Sequence, residues 1–234
     1  MAESGEGRFA PGEYLNLACT QHAELFDTGE PVWSAIGKIA PYLEGCDNFA
    51  KGGAEVSDRA WVAENVHLGD GVEVEPGAVL KGPAWIGEGT VVRAGAYLRG
   101  HVITGRNCVL GNSCEFKNCV LFDGAQVPHF NYVGDSILGH GAHLGAGVVL
   151  SNVRLDHGEV HVRIDGGGSI GSGLRKFGAV IGDGAEIGCN SVINPGSLVG
   201  RECVLYPGSM WSGVLAERHL VKVRQVQEVV KRRG

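Results

Sequence analysis

The sequence has no long uninterrupted apolar segment and no secretory signal, which argues against a membrane span and against export. Its seven cysteines are an odd set without the spacing of metal ligands. Basic residues are not in excess, since the formal net charge is −6, and this argues against a nucleic-acid-binding protein with a broad basic surface. These absences predict a protein of the reducing cytoplasm with no membrane span and no nucleic-acid partner.

Glycine, by contrast, is abundant. The 234 residues include 39 glycines, without the every-third-residue period of collagen. With 44% hydrophobic residues the chain can bury a core, so the glycines indicate many turns rather than disorder.

A six-residue period of apolar residues begins at Val56. Eleven of the twelve positions reached by steps of six are apolar, where composition alone would supply about five: Val56, Val62, Leu68, Val74, Leu80, Ile86, Val92, Leu98, Thr104, Leu110, Phe116 and Phe122. Small or modest residues follow four places after each, among them Cys108, Cys114, Val120 and Gln126. Six residues suit a short strand and a tight corner, with both residues pointing inward. The period therefore predicts an all-β solenoid.

Outward positions of these repeats often hold apolar residues, such as Trp61, Trp85, Tyr97 and Ile103. An exposed apolar stripe requires a cover, either another subunit or the terminal segments.

The period slips between Phe122 and Leu138 and is interrupted before Ile181. The interruption, over about 156–175, alternates in polarity before three glycines and predicts a projecting loop or hairpin. We predict three parts: 1–52 as an N-terminal helical segment with helices at 13–25 and 31–40, 53–214 as the solenoid with its insertion, and 215–234 as a C-terminal helix.

Five segments carry a resemblance to a known family: Val92-Arg-Ala-Gly95, Asn112-Ser-Cys-Glu-Phe-Lys117, His129-Phe-Asn-Tyr-Val-Gly-Asp-Ser136, Leu144-Gly-Ala-Gly147 with Ser151-Asn152, and Lys176-Phe-Gly-Ala-Val-Ile-Gly-Asp183. They resemble the hexapeptide-repeat acyltransferases, in particular the C-terminal acetyltransferase domain of bacterial N-acetylglucosamine-1-phosphate uridyltransferase and the tails of archaeal sugar-phosphate nucleotidylyltransferases. The resemblance implies a left-handed parallel β-helix with short terminal helices, and a homotrimer. Because 1–52 is too short for a nucleotidyltransferase domain, we expect the acetyltransferase half alone.

The resemblance further implies transfer of an acetyl group from acetyl-CoA to an amino-sugar phosphate such as glucosamine 1-phosphate. His129 is the candidate base, because an imidazole exchanges protons near neutral pH. By resemblance, Glu115 orients or polarises the site, Asn152 holds the amino group, and the Ala146 amide stabilises the oxyanion.

The same resemblance assigns the ligand contacts. The sugar phosphate is held by Arg93, Lys117, Tyr132 and Lys176, and the acetyl-CoA groove contains Ala146, Cys189 and Pro207. Cys189, Pro207 and Val153 depart from the family pattern, so the acceptor stays open. Alternatives are acyl transfer to another sugar or nucleotide-sugar acceptor, and a non-catalytic trimerisation or regulatory module related to nucleotidyltransferase tails.

His140 and His143 raise the question of a metal site, since the trimeric γ-class carbonic anhydrases use histidines on this fold. Their short spacing and the lack of a third matching histidine favour turn residues, and we predict no metal. Asp123 and Asp135 are likewise interpreted as turn residues.

Overall fold

The structure is a computed structural model that describes residues 9–232. Most of the described chain is a stack of very short strands. In chain order they are β1 Glu55–Val56, β2 Trp61–Val62, β3 Val66–Leu68, β4 Glu73–Val74, β5 Val79–Leu80, β6 Ala84–Ile86, β7 Val91–Val92, β8 Tyr97–Leu98, β9 Val102–Thr104, β10 Val109–Asn112, β11 Glu115–Leu121, β12 Gln126–His129 and β13 Tyr132–Leu138. They continue as β14 His143–Leu144, β15 Val149–Leu150, β16 His161–Arg163, β17 Ser169–Gly171, β18 Ala179–Ile181, β19 Glu186–Ile187, β20 Val192–Ile193, β21 Ser197–Val199, β22 Val204–Leu205, β23 Met210–Trp211, β24 Val214–Leu215 and β25 Leu220–Val221.

The strands form three parallel faces. Face one is β1-β4-β7-β10-β12-β14-β19-β22-β25, and face two is β2-β5-β8-β11-β13-β15-β20-β23. Face three runs β3-β6-β9, then through the second halves of β11 and β13, then β18-β21-β24. Nine strands on face one correspond to nine coils. The predicted parallel solenoid is confirmed, and its left hand remains the expectation carried by the resemblance.

Two consecutive coils are one residue shorter than the coils that precede them, and this is where the period slips. Leu121 pairs with both Thr104 and Leu138, so the inward position after Phe116 comes five residues later instead of six. A second five-residue step separates Val133 from Leu138. The strands β11 and β13 therefore run unbroken around the corner between faces two and three.

The shortened steps correct three sequence assignments. Leu121 rather than Phe122 points inward, and Phe122 is instead buried outside the solenoid, with its ring 5.3 Å from that of Phe26. Cys119 and Ala125, not Val120 and Gln126, occupy the small inward positions. These assignments were wrong because a strict six-residue step along the sequence does not detect a step that is one residue shorter.

The solenoid interior is a dry apolar stack. Cys108, Cys114 and Cys203 lie within it, as their hexad positions predict. Burial raises the pKa of each of these thiols, which keeps them protonated and unreactive. All seven cysteines are free.

The N-terminal segment covers part of face three. It contains α1 (Pro11–Tyr14), α2 (Ser34–Glu44) and two 3₁₀ turns, Leu17–Cys19 and Ala23–Leu25. The helix predicted over 31–40 thus lies close to α2, whereas the helix predicted over 13–25 is wrong. Pro11 starts a helix at once, and Asn16 caps a 3₁₀ turn by accepting a hydrogen bond from the Ala18 amide, so the chain turns repeatedly instead.

A second apolar cluster joins this segment to the solenoid. Ile36 and Ile39 on α2 pack with Ile103, Val120 and other outward residues of face three. The cover for outward apolar residues on that face is therefore a terminal segment. On face two, by contrast, Trp61 stays 53% exposed. Residues 1–8 of the predicted N-terminal segment lie outside the described residues.

His22 is buried where this segment meets Trp85, and its protonation is expected to loosen the contact. Burial lowers the pKa of His22 to about 4, and its Nε2 has no hydrogen-bond partner among residues 9–232. In the unfolded chain the imidazole takes up its proton near pH 6.5, so stability is lost as pH falls from 6.5 towards 4. The loss attributable to His22 approaches about 3 kcal/mol below pH 4.

Denaturant unfolding of wild type and His22→Gln at pH 7 and pH 4.5 tests this expectation. The stability difference between the two proteins should narrow by about 2–3 kcal/mol at the lower pH. Replacing the exposed His157 by glutamine is the control and should leave its difference from wild type unchanged. A difference between wild type and His22→Gln that stays constant with pH would contradict the expectation.

The predicted C-terminal helix is wrong for the residues described. Leu220 and Val221 form β25, which pairs with β22 and continues face one. Residues 222–232 adopt no regular structure, and Val226, Val229 and Val230 are largely exposed. Pairing with β22 satisfies backbone hydrogen-bonding groups of Leu220 and Val221, whereas an isolated helix would have to nucleate without such a partner. Residues 233–234 lie outside the described residues.

The interruption forms an antiparallel hairpin of β16 and β17. Val160 and Val162 are fully buried against face three, so the residues between and after them point away from it. Among residues 9–232 no helix is both long and apolar enough to cross a membrane.

Candidate active site

The candidate base and the candidate acetyl-CoA residues lie along one edge of the solenoid, the corner between faces one and two, called here the first corner. The Gly147 amide donates to the His129 carbonyl at 3.0 Å, the Asn190 amide to the Ala146 carbonyl at 2.8 Å, and the Gly208 amide to the Cys189 carbonyl at 2.8 Å. Each contact joins one coil to the next. The residues His129, Ala146, Cys189 and Pro207 are therefore stacked at equivalent positions on successive coils.

Asn131 holds this stack at the candidate base. Its side-chain oxygen accepts a hydrogen bond from the His129 amide at 3.1 Å, and its side-chain nitrogen donates to the Gly145 carbonyl at 2.7 Å. The coil of His129 is thus tied to the residue before Ala146. The His129 imidazole itself is exposed and contacts only the ring of Phe130, with no hydrogen bond or ion pair to a described side chain.

The Ala146 amide has the property required of an oxyanion donor. Between residues 9 and 232 it finds no acceptor, and the Cys189 amide one coil further on is also free. Gly147 follows in the left-handed region with φ +75°, which glycine adopts without strain and which turns the chain at this corner. The first corner therefore presents unsatisfied backbone donors next to an exposed imidazole.

A second group of predicted residues lies on face two and at the corner between faces two and three, called here the second corner. Asp135 sits at this corner with φ +46°, 4% exposed. Its carboxylate accepts hydrogen bonds from the side-chain amides of Asn118 at 3.0 Å and Asn152 at 2.5 Å, which lie on the neighbouring coils. Lys117 Nζ lies 3.3 Å from Asp135 Oδ2. A buried carboxylate thus receives three donors.

The carboxylate determines which way the Asn152 amide points. Because Asp135 only accepts, the Asn152 nitrogen must face it, and the same nitrogen lies 3.2 Å from the Tyr132 hydroxyl. The Asn152 oxygen makes no hydrogen bond with a described residue, so it can accept one from an amine. The interpretation of Asp135 as a turn residue alone is therefore corrected. Asp135 does lie at a turn, but its three partners cannot be recognised from that position in the sequence.

Gly134 makes room for this arrangement. A Cβ at Gly134 would lie 2.5 Å from the Tyr132 hydroxyl and 2.7 Å from Asn152 Nδ2, so only glycine lets the tyrosine ring lie across the strand towards Asn152. Burial raises the pKa of the Tyr132 hydroxyl, which is therefore protonated at neutral pH.

Other predicted residues are placed less tightly. Glu115 pairs with Arg99 at 2.8 Å and lies beside Tyr132 in register, not beside His129, so its predicted orienting role has no direct contact behind it. The hydrogen bond to Glu115 raises the pKa of Arg99. Arg93 lies on the first corner two coils before His129.

Lys176 is exposed and near Asn152, since the Phe177 amide donates to the Asn152 carbonyl at 3.0 Å. The structure does not bring Lys176 or Arg93 into contact with Lys117 among the interactions of the described residues. His140 and His143 bind the Asp123 carbonyl at 2.6 Å and Glu186 at 2.7 Å.

The family described as GMPPB C-terminal domain matches residues 80–165. The bifunctional sugar-1-phosphate nucleotidylyltransferase/acetyltransferase of Sulfurisphaera tokodaii is 32% identical over 198 residues, covering 82% of this chain and 49% of that protein. The chain is a hexapeptide-repeat protein related to such bifunctional transferases. The resemblance inferred from the five segments is thereby confirmed.

Two further matches were found, one in sequence and one in fold. The bifunctional protein GlmU of Methanococcus maripaludis, strain S2, is 34% identical over 178 residues, covering 69% of this chain and 43% of that protein. The chain thus spans about half the length of the curated relatives it matches. Among solved structures, a UDP-N-acetylglucosamine acyltransferase from Campylobacter jejuni matches at a TM-score of 0.46 and 16% identity, covering 71% of this chain and 70% of that one.

Proposed function

We propose that this chain is an N-acetyltransferase that moves the acetyl group of acetyl-CoA to the amine of an amino-sugar phosphate such as glucosamine 1-phosphate. The observation that carries the proposal is the first corner, where the exposed His129 imidazole lies one coil from the free Ala146 amide. A base next to an unsatisfied backbone donor is the arrangement that amide formation from a thioester requires. The relative from Sulfurisphaera tokodaii is named an acetyltransferase, which supports the same chemistry.

In the proposed reaction the amine nitrogen attacks the thioester carbonyl carbon. The carbon–nitrogen bond forms, the carbon–sulfur bond breaks, and the amine proton passes to the His129 imidazole. The thiolate of coenzyme A leaves and takes up a proton. The Ala146 amide donates to the carbonyl oxygen as negative charge develops on it. Acetyl-CoA, as the co-substrate, would lie along the corner past Cys189 and Pro207, which are exposed and stacked on successive coils after Ala146.

The acceptor would be held by the second group. The Asn152 oxygen, turned outward by Asp135, accepts from the substrate amine, while Lys117, Tyr132 and Lys176 supply the cationic and hydroxyl contacts that a phosphate needs. Arg93 lies on the first corner and would reach the same phosphate from a second copy of the chain. This local set offsets a chain whose formal net charge is −6.

Within one chain, face two separates His129 from Asn152, because His129 lies on the first corner and Asn152 on the second. This separation supports a homotrimer in which a second copy completes each site, with outward residues of face two such as Trp61 buried between subunits. Sedimentation of the protein tests the assembly, and a monomer would contradict it.

The activity is tested by incubating the wild-type protein with acetyl-CoA and glucosamine 1-phosphate. We expect release of free thiol that depends on both substrates, and an N-acetylated product by mass spectrometry. Absence of thiol release over a panel of amino-sugar phosphates would overturn the proposal. Calorimetry then separates the remaining alternatives: acetyl-CoA binding without transfer indicates another acceptor, and absence of binding indicates a non-catalytic module.

A further inference from the structure

The hairpin and face two enclose a cleft that lies outside the groups discussed above. The cleft has a volume of about 680 Å³. Its solenoid wall contains Ser151, Asn194 and Ser212, and its other wall contains Arg154, His161 and Arg163. Ser151 and Val153 both line it, so the cleft begins at the two neighbours of Asn152.

The hairpin packs closely against the solenoid, and this packing fixes the direction of its outward side chains. His161 and Arg163 are exposed on β16, while the alternate residues Val160 and Val162 are fully buried. A Cβ at Gly196 would lie 2.7 Å from the His161 carbonyl, which shows how closely β16 approaches the solenoid backbone. Strand alternation therefore directs His161 and Arg163 to the same side, where both line the cleft.

The charge of the cleft differs from that of the whole chain. Arg154 is held by Asp156, with Nε 2.9 Å from Oδ1, and this hydrogen bond raises the pKa of the guanidinium. Arg163 makes no ion pair or hydrogen bond with any side chain that the structure describes. Among the described side chains the Arg163 guanidinium therefore has no counter-charge within ion-pair distance, and it lies beside hydroxyl and imidazole groups that also bind phosphate oxygens.

We propose that this cleft is an anion-binding site that takes the diphosphate of a nucleotide. A single sugar phosphate is already provided for by Lys117 and its neighbours, and the cleft is of the size that small-molecule ligands fill. The cleft starts beside Asn152, which is proposed to hold the acceptor amine. A nucleoside diphosphate bound in the cleft would therefore lie next to the 1-phosphate of an acceptor sugar. The site concerns binding and holds whether or not acetyl transfer occurs.

Calorimetric titration of the whole protein with uridine diphosphate, inorganic phosphate and glucosamine 1-phosphate tests the site without acetyl-CoA. Arg163→Ala should weaken uridine diphosphate binding by about tenfold, since a charge-assisted contact to phosphate is lost. Its effect on glucosamine 1-phosphate should be less than about twofold. Arg59→Ala, which removes an exposed arginine on the first coil, is the matched control and should change neither affinity.

Two results would overturn the site: no uridine diphosphate binding to the wild-type protein, or binding that neither Arg163→Ala nor His161→Ala weakens. A second arm identifies the source of the nucleotide. If uridine diphosphate inhibits acetyl transfer competitively with the acceptor, the cleft holds the nucleotide part of a nucleotide-linked amino sugar. If uridine diphosphate binds but the rate of acetyl transfer does not change, the cleft holds a separate nucleotide ligand and not part of the acceptor. If the protein transfers no acetyl group but still binds uridine diphosphate, the proposed function fails and the binding site stands.

Discussion

Replacing His129 by alanine is expected to lower kcat for acetyl transfer by about 10²- to 10⁴-fold, the contribution of a positioned general base. The imidazole is exposed and has no hydrogen-bond partner among the described side chains, so its removal leaves no buried group unpaired. The free energy of unfolding should therefore change by less than about 0.5 kcal/mol. The effect then belongs to the chemistry and not to folding.

Steady-state rates are the measurement. Added imidazole should restore part of the rate. His143→Ala is the matched control, because His143 lies on face one and pairs only with Glu186 at 2.7 Å, an exposed contact of small energetic value. If His129→Ala kept the wild-type rate, the base would have to be another group.

The solenoid could be predicted from the sequence because the same six-residue pattern recurs in nearly every coil. Each inward residue, from Leu68 to Leu205, repeats the same requirement for an apolar side chain, so one irregular position such as Thr104 does not hide the pattern. Thr104 is tolerated inside because its hydroxyl accepts a hydrogen bond from the Gly87 amide at 2.9 Å. Local information of this kind accumulates over many coils.

The ends of the chain could not be predicted in the same way. Apolar residues near the C-terminus have helical spacing, namely Leu220, Val223, Val226 and Val230. Leu220 and Val221 instead extend face one, because the open edge of β22 offers backbone hydrogen bonds that a solitary helix lacks. At the other end, the packing of α2 on face three depends on Ile103 and Val120, which are distant in sequence. Tertiary contacts decided both cases.

The candidate site was predicted in part. The stack of His129, Ala146, Cys189 and Pro207 follows from the repeat, because residues one coil apart must meet along an edge. The role of Asp135 does not, since its partners are set by a corner that has lost one residue. Only the register reveals that Asn118, Asp135 and Asn152 occupy the same corner on successive coils.

Replacing Asp135 by asparagine is expected to lower kcat by about 10²-fold through Asn152, the effect of turning a substrate-holding amide away from its productive orientation. The substituted amide no longer compels the Asn152 nitrogen to face it, and Lys117 loses its counter-charge at 3.3 Å. The free energy of unfolding should also fall by about 2–3 kcal/mol, because donors to a buried carboxylate lose a charged acceptor. KM for acetyl-CoA should stay unchanged, since the first corner is untouched.

A double-mutant cycle distinguishes positioning from mere loss of stability. If Asp135 acts through the Asn152 amide, Asp135→Asn should cost little further rate once Asn152 is alanine, whereas independent effects would multiply. Asp123→Asn is the control, because Asp123 is also a corner carboxylate but accepts from the Arg106 amide at 2.7 Å, away from Asn152. It should lose some stability and no kcat. Equal losses of kcat in both single variants, or full additivity in the cycle, would reduce Asp135 to a structural residue and leave the orientation of Asn152 without a cause.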